Sequence, residues 1–174
     1  MMRMREHEQA ITGNHKADVR LERASWRDLR SVAAIQKASF RPGLAYSLSG
    51  LSVLSIFPGV VFLVARGDTL PVAGCVIADR HRDNIRIMNI AVDPAARRQG
   101  IGTALLRGVE AAFPTGDIVL MAEEWNTGAQ ALYEREGYLR SGSTNDYYGK
   151  GRHGILMKKT RHAPDSSETL RIKV

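Results

Sequence analysis

Between Ile90 and Thr103 the chain reads IAVDPAARRQGIGT. An apolar strand ends at Asp93-Pro94, the chain turns, and Gly100 and Gly102 open a helix. Free N–H groups at a helix N-terminus bind anions, and glycine lets a phosphate come close to the backbone. Arg97 and Arg98 stand just ahead of that terminus. The segment therefore suits a phosphate; taken alone, it also suits an ordinary helix start flanked by solvated arginines. A nucleotide P-loop is excluded, because no G-x-x-x-x-G-K-[ST] occurs. A dinucleotide fingerprint lacks its third glycine, since Gly102 continues as Thr103-Ala104-Leu105. The five histidines show no ligand spacing, so no metal site is expected. Cys75, mid-strand between Gly74 and Val76, reads as a buried core thiol, and no serine has the His and Asp neighbours that would activate it.

The elements that must position this segment follow from periodicity. Val19 to Arg23 alternates as a short strand, and Ser25 is a candidate N-cap for a helix running to about Phe40. Arg41-Pro42-Gly43 breaks that helix, and Ala45 to Phe57 reads as a second helix or helical loop closed by Pro58-Gly59. Val60 to Ala65 is continuous and β-branched, as in a strand buried on both faces. Turns at Gly67-Asp68 and Arg82-Asp83-Asn84 separate it from strands at 72–78 and 85–92. Ile101, Leu105, Val109 and Phe113 form a helical stripe stopped by Pro114 and Gly116. A strand at 118–122, a helix at 127–136 with Gly137 placed for its C-terminal cap, and strands from Tyr138 and at 154–158 complete the order. This β-α-α-β-β-β-α-β-α-β-β order specifies one α/β domain, a mixed, mostly antiparallel central sheet with helices on both faces. The expected division is a polar arm over 1–18, the domain over 19–159 and a polar tail over 160–174.

Composition agrees with a single globular unit: 174 residues, 44% hydrophobic and 25% charged. The longest apolar stretch, Val53 to Ala65, is interrupted by Ser55, Pro58 and Gly59, too short and broken for a membrane span. No secretory signal is legible at the N-terminus, and one cysteine cannot form an internal disulfide, so a reducing, cytoplasmic setting is expected. The net charge of +7 suits a partner bearing phosphates, either nucleic acid or a phosphorylated cofactor, although solvated arginines for solubility produce the same balance. Nucleic acid is disfavoured by the absence of zinc or helix-turn-helix patterns and by aromatics that are few and not interleaved with arginine.

Two motifs at the right separation then carry a resemblance. Arg97-x-x-Gly100-x-Gly102, following a strand and opening a helix, resembles the pyrophosphate signature of the GNAT superfamily, the acyl-CoA-dependent N-acyltransferases. Asn126, Ala129, Leu132, Tyr133 and Gly137 fall in register with that family's N-x-x-A-x-x-L-Y-x-x-x-G-F/Y segment, which ends here in Tyr138. The resemblance runs from about Val19 to Lys159. Within the superfamily the chain looks most like the branch that acetylates protein N-termini, including ribosomal-protein alanine acetyltransferases. The Asn126–Tyr133 segment, the Tyr147-Tyr148 pair and the closing strand to Lys159 carry that likeness.

The resemblance implies acetyl-CoA as acyl donor, an amine acceptor and no metal. It places the pyrophosphate on Arg97, Arg98, Gln99, Gly100, Ile101, Gly102 and Thr103. The acyl and pantetheine groups would lie along Ile90, Ala91 and Val92, with Asn126 and Tyr133 also at the cofactor. It makes the Tyr133 hydroxyl the acid that protonates the departing thiolate, and lines the acceptor cleft with Phe40, Arg41 and Tyr46. One departure concerns the base. The branch carries Glu-x-Arg-x-x-Asn before the helix; here Met121 stands at the Glu position and Glu123 at the Arg position. Strand alternation points Glu123 the same way as Met121, which makes Glu123 a candidate base; of Glu123 and Glu124 only one can face the site, and two surface glutamates are the alternative. Asn89 is a further candidate to hold a water. The acceptor is expected to be a protein N-terminal amine or a small molecule such as an aminoglycoside, polyamine or amino acid, on a monomer or homodimer.

Overall fold

The computed structural model describes residues 19–67 and 70–161. The expected arm over 1–18 and the tail from residue 162 lie outside these residues, as does Asp68. Seven strands form one sheet in the order β1-β2-β3-β4-β5-β7-β6. They are β1 Arg20–Arg23, β2 Val60–Arg66, β3 Gly74–His81, β4 Asn84–Val92, β5 Asp117–Glu123, β6 Leu139–Thr144 and β7 Gly154–Lys159. The helices are α1 Leu29–Ser39, α2 Leu48–Ile56, α3 Ile101–Ala112 and α4 Thr127–Arg135. Neighbouring strands are antiparallel except for β4 and β5. The α3 passage joins neighbouring parallel strands, but β7 inserts between β5 and β6, so the α4 passage skips a place in the sheet.

Alternation along β2 shows how the sheet is buried on both sides. Val61 and Ala65 join the apolar layer under α3, while Phe62 and Val64 join the layer under α1 and α2. The α3 stripe of Ile101, Leu105, Val109 and Phe113 packs on Ile85, Ile87, Ile118 and Leu120 as its spacing predicts. On the other face Leu29, Val32 and Ile35 of α1 and Leu51 of α2 cover Cys75, Ile77 and Ala91. The second helix is shorter than its sequence range, because Ser47 caps it: the Ser47 hydroxyl accepts from the Gly50 N–H at 3.1 Å. The first helix likewise begins later than Ser25, after a 3-10 turn over Trp26–Asp28.

A bulge in β4 shapes the functional end. The β3–β4 register runs from Ile77↔Asn89 directly to Ala78↔Ile87, leaving Met88 as the extra residue. The bulge reverses the facing of everything after it. Ile85 and Ile87 lie under α3, whereas Ala91 lies under α1. Pairing of β4 with β5 ends at Ile87↔Leu120, while β5 stays paired with β7 as far as Glu123↔Gly154. Beyond Ile87 the two central strands part.

An ion pair anchors the opposite edge. Arg66 donates to Asp28 Oδ1 at 2.8 Å and to Glu22 Oε2 at 2.7 Å, and the Ser25 N–H and hydroxyl both donate to Asp28 Oδ2 at 2.8 Å. Burial alone pushes the Asp28 carboxyl up, but the bonds from Arg66 and Ser25 outweigh it and hold the group below its usual value. Asp28→Asn should lower stability by roughly 3 kcal/mol at pH 7, read by denaturant unfolding, because it leaves Arg66 short of its buried partner. A carboxyl depressed in the folded state contributes fully above its unfolded value and loses that contribution as pH falls through the folded one. The gap between wild type and Asp28→Asn should therefore narrow below about pH 4. A gap that stays constant down to pH 3 would contradict this account.

Candidate active site

The parted strands open into a cleft of about 810 Å³. Ile90, Ala91 and Val92 of β4 form one wall, the Ala96–Thr103 turn and start of α3 the end, and Asn126, Leu132 and Tyr133 the other wall. Phe40 and Arg41, just after α1, and Glu123 and Trp125, at the end of β5, close the opposite end. The Asp93 N–H donates to Ala73 O at 2.9 Å on the β3 side. Alternation along an antiparallel ladder then turns the main-chain groups of Ile90 and Val92 toward the gap that β5 has vacated.

At the α3 end the backbone is shaped for an anion. Gly100 is the N-cap in the left-handed region (φ +84°), and Arg98 is left-handed as well (φ +66°). The first bond of the helix is Ala104 N–H to Gly100 O at 3.0 Å, so the N–H groups of Ile101, Gly102 and Thr103 precede any helical partner. A left-handed non-glycine residue costs free energy, and left-handed residues in a turn are a feature of anion-binding backbone. The two glycines have different tasks. A methyl on Gly100 would meet nothing within 4 Å and project into open space, but in a backbone conformation L residues avoid. A methyl on Gly102 would lie 2.7 Å from Leu132 Cδ2, so Gly102 admits α4 beside α3 as well as bordering the cleft. The sequence reading had assigned both glycines to phosphate approach. Arg97 reaches across the β4 end, with Nε 3.4 Å from Val92 O and Nη2 3.4 Å from Ser39 Oγ. Gln99 is exposed and outside the lining.

At the other end stands a charged pair. Glu123 Oε1 accepts from Arg152 Nε at 2.8 Å and Oε2 from Arg152 Nη2 at 3.2 Å. Arg152 therefore holds the Glu123 carboxyl below the usual carboxylate range, against burial, with Arg41 adding to the effect. Glu124 is exposed and outside the lining, as strand alternation requires. The β5 end is secured by Gln130, whose buried carboxamide donates to Glu123 O at 3.1 Å and Glu124 O at 2.8 Å. The Tyr148 hydroxyl donates to Met121 O at 2.7 Å.

Tyr133 is buried at the cleft wall, its ring 6.0 Å from that of Tyr138, and burial pushes its phenol up so that it keeps its proton at neutral pH. Asn126 Oδ1 accepts from the Ala129 N–H at 3.1 Å and so caps α4 while lining the cleft. Asn89 is buried with Oδ1 lacking a protein partner, one residue past the bulge, but it does not line the cleft. Phe40 and Arg41 reach the cleft, whereas Tyr46 does not. Its N–H bonds Gln36 Oε1 at 2.9 Å, and Arg86 and Asp79 are the charges close to its phenol. Sequence reasoning missed Arg152 and Trp125. Trp125 sits inside the quoted motif region, but nothing local to Arg152 signals a partner 29 residues away. Among the described residues no group of three or more His, Cys, Asp or Glu could hold a metal, and no helix is long and apolar enough to cross a membrane.

Comparison with known proteins agrees with this geometry. Residues 58–139 match the family model described as an acetyltransferase (GNAT) domain. An uncharacterized N-acetyltransferase of Methanocaldococcus jannaschii is 32% identical over 145 residues, covering 81% of this chain and 91% of that protein. N-alpha-acetyltransferase 30 of Xenopus laevis is 33% identical over 108 residues, 59% of this chain but only 40% of that protein's length. In structure, the ribosomal-protein-S18-alanine N-acetyltransferase of Escherichia coli superposes with a TM-score of 0.72 at 21% identity, covering 85% of this chain and 97% of that one. The chain therefore belongs to the GNAT family of N-acetyltransferases.

Proposed function

We propose that this enzyme acetylates an α-amine of the kind found at a protein N-terminus, by direct attack at the Glu123 end of the cleft. The observation that carries this reading is the Arg152–Glu123 pair, because it makes Glu123 a weak base. Delivering a neutral amine at pH 7 costs about 1 kcal/mol for an α-amine near pKa 7.8 and about 4.6 kcal/mol for a lysine near 10.4. A site with a weak base suits the first. The similarity to N-alpha-acetyltransferase 30 supports the same choice.

Acetyl-CoA supplies the thioester carbon that is attacked and the thiolate that leaves. The N–H groups of Ile101, Gly102 and Thr103, with Arg97 and Arg98, would hold its phosphates. The main-chain donors of Ile90 and Val92 would polarise the carbonyl, and Asn126 would bind the pantetheine side of the cleft. Glu123, ionised and fixed, would receive the amine and hold a water that carries its proton away. Tyr133, which keeps its proton, would donate it to the departing sulfur. Direct transfer is supported by the place of Cys75, which lies in the opposite apolar layer with its thiol pushed up to about 12. That buried, lone thiol also supports a reducing, cytoplasmic setting.

Two expected outcomes follow from these assignments. Gly100→Ala should weaken acetyl-CoA binding at least about tenfold by calorimetry, roughly 1.4 kcal/mol. Gly102→Ala should act through Leu132, so Gly102→Ala/Leu132→Ala should bind better than Gly102→Ala alone. Unchanged affinity in Gly100→Ala would remove the phosphates from this helix terminus. Tyr133→Phe should bind acetyl-CoA normally and lose about 10²-fold in kcat with an N-terminal peptide acceptor. Normal turnover by Tyr133→Phe would reduce the phenol to a packing residue.

A further inference from the structure

Where α4 ends, three charged residues follow one another, Glu134, Arg135 and Glu136, and their commitments differ. Glu134 Oε1 accepts from Arg140 Nε at 3.3 Å, and Glu136 Oε2 accepts from Arg107 Nε at 3.0 Å. Arg135 between them has no ion-pair partner among the described residues. It lines the cleft instead, on the α4 face that also presents Gly128 and Leu132. Two contacts fix where along α3 it stands. Leu132 packs at Gly102, where an added methyl would lie 2.7 Å from Leu132 Cδ2, and Glu136 is bound by Arg107 of α3. Arg135 therefore flanks the start of α3 from the α4 side. A cation in the last turn of a helix is favoured by the helix dipole wherever it points. The dipole alone does not call for a guanidinium turned into the cleft.

The charges of the donor and of the cleft can be set against each other. Arg97 reaches toward α1, with Nη2 3.4 Å from Ser39 Oγ, so the free N–H groups of Ile101, Gly102 and Thr103 lie between Arg97 and Arg135. The pyrophosphate of acetyl-CoA carries one charge on each phosphate. Arg97, Arg98 and a helix terminus equivalent to about half a charge already balance it. Acetyl-CoA carries a further phosphate, a monoester on its ribose, with a charge of about −1.5 to −2 at pH 7. Glu123 is the one acid in the cleft lining and stands at the other end, so nothing beside Arg135 competes for it. We infer that Arg135 binds the ribose phosphate of acetyl-CoA and makes the enzyme select donors that carry it. The inference rests on the acetyl-CoA reading and deepens it. A guanidinium offers a phosphate two parallel donors, which gives orientation as well as charge. The nucleotide then leaves the α3 terminus toward α4 while the thioester runs between β4 and β5 toward Glu123.

The test measures binding by calorimetry, with CoA and with dephospho-CoA, which lacks only the ribose phosphate. Wild type should bind CoA at least about tenfold more tightly, or roughly 1.4 kcal/mol. That preference should shrink as salt rises and below about pH 6, where the monoester takes up a proton. Arg135→Gln should bind CoA about as weakly as dephospho-CoA, with its dephospho-CoA affinity unchanged, and Arg135→Lys should keep part of the preference. Arg98→Gln should weaken both ligands and preserve their ratio. The ratio compares two ligands on one preparation, so a loss of folded protein cancels. Equal binding of the two ligands by wild type, or an Arg135→Gln variant that loses affinity for both alike, would overturn the inference while leaving acetyl-CoA as donor. A preference abolished by Arg98→Gln and kept by Arg135→Gln would do the same. Binding of neither ligand by wild type would overturn the acetyl-CoA reading and this inference together.

Discussion

The working part of this molecule depends on the separation of β4 from β5 beyond Ile87. A continuous parallel ladder would use the main-chain groups of Ile90 and Val92 within the sheet and leave no room between the strands. The extra residue at Met88 prevents that, since it bends β4 and exchanges its inward and outward faces while β5 remains tied to β7. The strand ends therefore part without pairing to each other. The α3 terminus and the end of β5 both border that gap.

Holding the gap open requires support at both strand ends. Gln130, buried in α4, binds the last two carbonyls of β5, and Arg140 Nη2 donates to Gln130 Oε1 at 2.7 Å in turn. Tyr148 binds Met121 O from the β6–β7 connection. On the other side Ser39, at the end of α1, donates to Val92 O at 3.2 Å. A buried or half-buried hydrogen bond of this kind contributes about 1 kcal/mol net, but its greater effect is to define where each strand end lies. In this way the two helical layers, with their separate apolar cores, set the width of one cleft.

Charge is distributed to match. The α3 terminus presents N–H groups and arginines, which suits an anion, and the end of β5 carries the Glu123–Arg152 ion pair. Pinning a carboxylate with a guanidinium sacrifices basicity and fixes position. That exchange is reasonable for an amine that loses its proton near neutral pH and poor for one that holds it to pH 10. The Tyr133 phenol follows the complementary logic, since its apolar surroundings keep the proton on it.

Much of this was legible in the chain by itself. The α3 stripe, the alternation of β2, the glycine-opened helix after β4 and the register from Asn126 to Gly137 are local patterns, each spanning one element and its cap. Local patterns survive in a sequence because backbone geometry repeats every two or 3.6 residues. The order of elements even specified the mixed sheet and its two helical faces. What the sequence did not disclose is all non-local. The insertion of β7 between β5 and β6, the bulge at Met88, the contact of Gly102 with Leu132 and the turning of Tyr46 toward Arg86 and Asp79 depend on which strands become neighbours. The clearest case is Arg152, an unremarkable residue in a polar loop that becomes the partner of Glu123 only because β7 pairs with β5. Residue types and spacing determined which chemistry the chain could perform; the tertiary structure decided which charges would face each other while it did so.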